Sequence, residues 1–219
     1  VTMRTLSTLL LLTLAAGPVA AQQHMGMKDP DKAVQGGGTL PTGWSARTDR
    51  NAPLTNVRFY QMGGGVHATL GPAAIFWQAG DTATGDFHTV ASFTQMKAPM
   101  HPEAYGLFIG GSDLSGAAQR YTYLIVRGDG KFMIKRRNGD SVSTVVECTA
   151  NDAVVKAGAE GKATKEVSIL VKGGKVWFMV NGKEVHSGNA ADFDTQGIVG
   201  LRVNHNLDVH IAGFAVHHI

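Results

Sequence analysis

Disulfide-forming cysteine, charge of one sign and long apolar runs are all scarce in this chain. Cys148 is the single cysteine among 219 residues, so no internal disulfide forms and stability must come from a packed core. Twenty Lys and Arg against 17 Asp and Glu leave a formal net charge of +3, with no run of like charges long enough to suggest a dedicated nucleic-acid binder. No Asn-x-Ser/Thr acceptor occurs, so N-glycosylation is not expected. What is abundant is glycine, 28 residues, beside an ordinary 43% of apolar side chains. That combination fits one well-cored domain with many turns and excludes a wholly disordered chain.

The longest apolar stretch, Leu9 to Ala16, is too short to span a bilayer comfortably and follows the basic Arg4. With the small residues Val19, Ala20 and Ala21 behind it, the stretch predicts a signal peptide over 1–21, cleavage after Ala21, and a mature protein exported to the periplasm or medium without membrane insertion. Residues 22–42, polar and carrying Gly36, Gly37 and Gly38, read as a flexible leader. After that cleavage His24 would stand third from a free amine, a tetragonal nitrogen arrangement suited to Cu(II) or Ni(II), unless the N-terminal glutamine cyclises. Cys148 reads as a small buried hydrophobe.

From about residue 43 to 219 short alternating runs are punctuated by turns, with no sustained helical period. The pattern predicts an all-β domain, an antiparallel sandwich. Its strands are expected at 57–62, 65–70, 73–79, 86–95, 103–110, 120–127, 131–137, 142–148, 165–172, 175–180, 183–187, 197–204 and 207–217. Gly173 and Gly174 form a two-residue turn, so Val171 should face Val176, Ile169 Phe178, and Val167 Val180. The Asn181-Gly182 turn should then set Val185 beside Phe178 and His186 beside Trp177 on the opposite face. A turn at Gly128–Gly130 should put Tyr121, Tyr123 and Ile125 on one face with Phe132 and Ile134. Near the end, a bulge at Gly213 would bring Val209, Ile211, Phe214 and Val216 to one core.

The run Gly197-Ile198-Val199-Gly200-Leu201-Arg202-Val203, behind the Trp177–Gly182 hairpin, resembles the concanavalin A-like lectin and glucanase superfamily. Ala104 to Gly111 is similar to a central strand of such domains, and the nearest types are the laminin-G-like and 3-keto-disaccharide hydrolase domains. The resemblance implies two curved antiparallel sheets in a jelly roll, a last strand lying beside the first, and a sugar or partner site on the concave face or its rim loops. This chain lacks the alternating Glu, Asp, Glu triplet of the retaining glucanases.

Candidate sites follow. Trp177 offers a flat apolar plate to a sugar ring, while His186, Arg202, Asn204 and His210 offer directional hydrogen bonds. The reading is an exported, non-catalytic carbohydrate-binding domain with a carbohydrate or glycoconjugate as partner. The alternatives are a glycoside-acting hydrolase of the 3-keto-disaccharide type, using Glu103 and Asp113, and an envelope protein-interaction domain. Asp81 and Asp86, in a stretch that reads as a Gly- and Thr-rich loop, are hard oxygen ligands suited to Ca²⁺. Lys135, Arg136 and Arg137 read as a solvated strand end.

Overall fold

Residues 29–219 are described by a computed structural model. The expected signal peptide, its expected cleavage site and His24 lie outside them. Fourteen strands account for the architecture: β1 (Trp44–Thr48), β2 (Val57–Met62), β3 (Gly65–Leu70), β4 (Ala74–Ala83), β5 (Phe87–Gln95), β6 (Ala104–Ser112), β7 (Arg120–Arg127), β8 (Lys131–Asn138), β9 (Ser141–Ala150), β10 (Ala163–Lys172), β11 (Lys175–Val180), β12 (Lys183–Asn189), β13 (Gly197–Val203) and β14 (Asp208–His218). Two 3₁₀ turns, Leu54–Asn56 and Ala190–Asp192, are the only helical pieces among the described residues. Sheet A runs β1-β4-β13-β6-β7-β8-β9 and sheet B runs β12-β11-β10-β5-β14-β3-β2, every pair antiparallel. The protein is a two-sheet all-β sandwich. The unexpected strand is β1, whose half-exposed residues give little alternation to read.

The core between the sheets follows side-chain alternation. Val199, Leu201 and Val203 of β13, with Tyr105, Leu107 and Ile109 of β6, pack against Phe93, Val167, Ile169, Phe178 and Ile211 of sheet B. The β10–β11 register has Val171 on Val176, Ile169 on Phe178 and Val167 on Val180, as the Gly173-Gly174 turn requires. Gly213, at φ +63°, sits where the β14–β5 register shifts, and it lets Phe214 and Val216 rejoin the core already served by Val209 and Ile211.

Four expectations are corrected. In the β11–β12 hairpin the register shifts after Phe178, so His186 faces Phe178 and Ser187 takes the place beside Trp177. A bulge absorbs one residue and moves everything beyond it. In the β7–β8 hairpin Gly130, at φ +87°, makes a three-residue turn, so Val126 pairs with Phe132 and Leu124 with Ile134. Tyr121, Tyr123 and Ile125 therefore face outward, away from Phe132. The last strand β14 lies between β5 and β3, whereas β1 edges the other sheet. Cys148 is exposed, because β9 is an edge strand almost bare on both faces.

Residues 29–42 carry no regular element, yet they are tied to the sandwich. Asn206 accepts the amide of Lys32 at 2.8 Å and donates to Asp29 and to the Pro30 carbonyl, while Asn56 accepts the amide of Val34 at 3.1 Å.

Candidate functional site

Arg202 is the hub of a charged cleft at one end of sheet A. Alternation along β13 sends Leu201 and Val203 into the core and Arg202 to the outer face of sheet A. Directly opposite on β6 stands Gly106, with no side chain, and the guanidinium extends across it to within 5.7 Å of the Tyr123 ring. At 5% exposure the Arg202 charge would be costly without a partner. The tight turn after β1, whose Asn51 adopts φ +53°, supplies Asp49, and both carboxylate oxygens accept from Arg202.

The other nitrogen of that guanidinium begins a chain of partners. Arg202 Nε donates to Asn204 Oδ1 at 3.1 Å, Asn204 Nδ2 donates to Glu103 Oε2 at 3.1 Å, and Glu103 Oε1 meets His205 Nε2 at 2.9 Å. His205 Nδ1 then reaches Asp31 at 3.2 Å. Strand pairing explains the meeting, since Val203 opposes Tyr105 and the next residues of both chains emerge together at the sheet's end. Asp31, Asp49, Arg50, Arg202, Asn204 and His205 line a cleft of about 280 Å³ closed on one side by Pro72 and Ala73.

Electrostatics follow from burial and neighbours. Burial pushes the Asp49 carboxyl up, but the Arg202 hydrogen bond and charge, with Arg137 and Arg50 beyond, hold it below the usual carboxylate range. Burial likewise pushes His205 down, and Glu103 and Asp31 more than reverse it, so the imidazolium persists above its ordinary range. Tyr123, enclosed on the same face, is pushed up to about 12, chiefly by burial.

Behind the cleft the outer face of sheet A is itself packed. Ile75, Trp77, Phe108, Tyr121, Tyr123 and Ile125 form a second apolar cluster, separate from the inter-sheet core. The segment between β6 and β7 folds over it, with Leu114 buried in the cluster and the Leu114 and Gly116 carbonyls accepting from Arg47. Arg137, expected at a solvated strand end, is only 7% exposed and donates to the Asp49 carbonyl at 2.9 Å.

The residues singled out from sequence fall in three places. Arg202 and Asn204 are joined in the cleft, and Glu103 braces them. Trp177 and His210 lie on the outer face of sheet B; His210 stands opposite His67, whose partner is Asp208 at 2.8 Å. Three strand steps, roughly 14 Å, separate β11 from β14 across that sheet. His186 packs on Phe178 and Phe193 at the sandwich edge. The five-residue set is therefore not one site, because intervening strands and a bulge separate what the sequence pattern assumed to be continuous.

Glu103 and Asp113 are not a catalytic pair. They flank β6 at its opposite ends, roughly 30 Å apart at strand rise, and Asp113 accepts from the Ala118 amide. Nor do Asp81 and Asp86 share a cation cradle. Strand β4 runs on through Ala83, Asp86 accepts from the Gly173 amide, and burial pushes the Asp81 carboxyl up, partly offset by Gln78. Among the described residues no group of three His, Cys, Asp or Glu side chains is placed to hold a metal. Sequence reasoning missed the cleft roles of Asp49, Arg47, Arg137 and Asp31; only Arg202, a charge on the outward face of an otherwise apolar strand, pointed toward them.

No family model and no curated protein matches the sequence. Solved structures do match in fold. The carbohydrate binding module CBM66 from Bacillus subtilis superposes with a TM-score of 0.58 at 13% identity, covering 82% of this chain and 99% of that one. A protein of unknown function with a galectin-like fold from Bacillus subtilis gives 0.54 at 12% identity, covering 85% and 96%. Alginate lyase A1-II' gives 0.52 at 14% identity, covering 81% and 95%. The chain thus shares with these structures a jelly-roll sandwich of two antiparallel sheets.

Proposed function

We propose that the protein is an exported, non-catalytic carbohydrate-binding domain whose site is the cleft over Arg202. The observation that carries this reading is the buried Arg202, clasped by Asp49 and braced by Asn204 at the floor of an open cleft. Adjacent sugar hydroxyls pair with planar groups that present donors and acceptors in fixed geometry. Arg, Asp and Asn side chains that hold one another in place meet a sugar with little rotamer entropy left to lose. The fold supports the same reading, since one of the structures it superposes on is a carbohydrate binding module. Its sequence motifs resemble those of the laminin-G-like and 3-keto-disaccharide hydrolase types of the concanavalin A-like superfamily, and the proposed domain is read as one of that kind. Export rests on the Leu9–Ala21 segment, and mass spectrometry of the mature N-terminus tests it.

A hydrolytic reading has less support. Glu103 and Asp31 approach one another only through His205, whose imidazole fills the gap a glycosidic bond would need. A glycan array with Asn204→Ala and Trp177→Ala decides between the two faces. Retention by the parent and by Trp177→Ala, with about tenfold weaker retention by Asn204→Ala, is expected from loss of one hydrogen bond to a charged network. Retention that depends on Trp177 and ignores Asn204 would move the site to sheet B, and no retained glycan would reject the function.

A further inference from the structure

The site just proposed is short of negative charge. Arg47, Arg137 and Arg202 are 9%, 7% and 5% exposed on one face of sheet A, and Arg50 lies at the cleft mouth. Asp49 is the one carboxylate hydrogen-bonded to any of them among the described residues. Arg47 directs its hydrogen bonds to the Leu114 and Gly116 carbonyls and Arg137 to the Asp49 carbonyl, so Arg47 has no carboxylate partner and the one Asp49 charge is shared among Arg202, Arg137 and Arg50. Nε of both is buried with no hydrogen-bond partner, as is Nε2 of Gln119 at the foot of the covering loop. These orphaned atoms are all donors. On the far wall, Asp31 and Glu103 share the single imidazolium of His205, so that wall offsets the four arginines by about one charge and leaves the cleft positive.

A buried guanidinium without a counter-charge is costly, and each unsatisfied buried donor adds to that cost. Low-dielectric walls also focus the resulting field into the cleft rather than into water. Resting on the sugar-binding reading, we propose that the ligand is an anionic glycan, one whose carboxylate or sulfate sits at Arg50 and the Arg202–Asp49 pair while its hydroxyls meet Asn204. Arg47 and Arg137 act from behind, supplying uncompensated positive potential without touching the sugar. Neutral glycans gain nothing from that field.

Titration calorimetry on the full chain tests this with three probes: an oligogalacturonate, a neutral oligosaccharide of equal length, and inorganic sulfate. The uronate should bind at least about tenfold tighter than the neutral oligomer, the value of one charge-assisted hydrogen bond. Raising NaCl from about 50 to about 300 mM should erase most of that advantage, since screening shortens the reach of the field. Arg50→Gln, an exposed position that leaves the packed face intact, should lower uronate affinity toward the neutral value. Arg58→Gln on the outer face of sheet B should change nothing. Equal affinity for charged and neutral oligomers would overturn the anionic preference and leave sugar binding standing. Sulfate binding as tight as the uronate would overturn the glycan part, and no binding by either oligomer would overturn both.

Discussion

The two sheets use their outer faces differently. Along β5 of sheet B buried and half-exposed residues alternate without a break, and the outer face carries His88, Val90, Ser92 and Thr94. Along β6 of sheet A eight consecutive residues are buried, and the outer face of the same sheet holds Ile75 and Trp77 of β4 with Tyr121 and Tyr123 of β7. One sheet is a wall with a wet side; the middle of the other is packed on both, although its edge strand β9 stays bare. A sheet face withdrawn from water must bury something against it, and here the covering loop with Leu114 does so beside a cluster of arginines. Charge placed within that second apolar layer acts at low dielectric, which is why the functional reading belongs to sheet A and not to the aromatic on sheet B.

The sharpest test of that contrast is truncation of one aromatic from each face. Tyr121→Ala, at 1% exposure, should cost about 4 kcal/mol, in the range of large core truncations, whereas the half-exposed Trp177→Ala should cost about 1 kcal/mol. Urea unfolding with a shared slope measures both, and equal losses would erase the distinction between faces. Next in size is Asp49→Asn. Leaving Arg202 buried and unpaired should cost about 3 kcal/mol, while the double substitution Asp49→Leu with Arg202→Met should recover most of it. If the double variant is as unstable as the single one, packing and not charge holds the cleft together.

A third experiment concerns the space between the sheets. Lys165 of β10 is fully buried on the inner face, donates to the Tyr105 hydroxyl at 3.1 Å, and is pushed down to about 8 by burial, which the Asp129 charge only partly offsets. Because the folded value lies below the ordinary 10.5, the folded state binds fewer protons than the unfolded chain between those limits. Stability should therefore rise by about 2 to 3 kcal/mol between pH 8 and pH 10.5 and be lost again as pH falls back toward 8. Lys165→Met should flatten that slope, and a slope unchanged by it would assign the effect elsewhere.

Local rules made most of the fold legible. Glycine and Asn-Gly turns fixed where strands end, and the paired valines of β10 and β11 fixed their register, because a two-residue turn leaves no freedom in parity. Legibility stopped where one extra residue enters. Gly130 turns three residues instead of two and sends Tyr121 and Tyr123 outward, and the shift after Phe178 moves His186 off the Trp177 face. The cleft was half legible: Arg202 and Asn204 are near neighbours in sequence, but Asp49 stands 153 positions from Arg202 and Asp31 stands 174 from His205. No periodicity announces contacts made by loops at the ends of non-adjacent strands.

The smallest effect expected separates the cleft's two walls by pH. His205 holds Asp31 on one nitrogen and Glu103 on the other, and its raised value means that both contacts are charge-assisted while the imidazole carries two protons. A group whose folded value is raised contributes fully below its unfolded value and loses that contribution as pH climbs through the folded one. Amide exchange at Lys32 and Val34, whose protection depends on the leader staying against Asn206 and Asn56, should quicken as pH climbs past 6.5, beyond the ordinary base-catalysed increase. The control is Arg202, always charged, so exchange in the strand that carries it should follow base catalysis alone. His205→Gln retains hydrogen bonding without a titration and should abolish the excess at the leader. An excess that survives this substitution would detach the leader's hold from His205 and leave it to the asparagines and the Gly38 amide on the Val57 carbonyl.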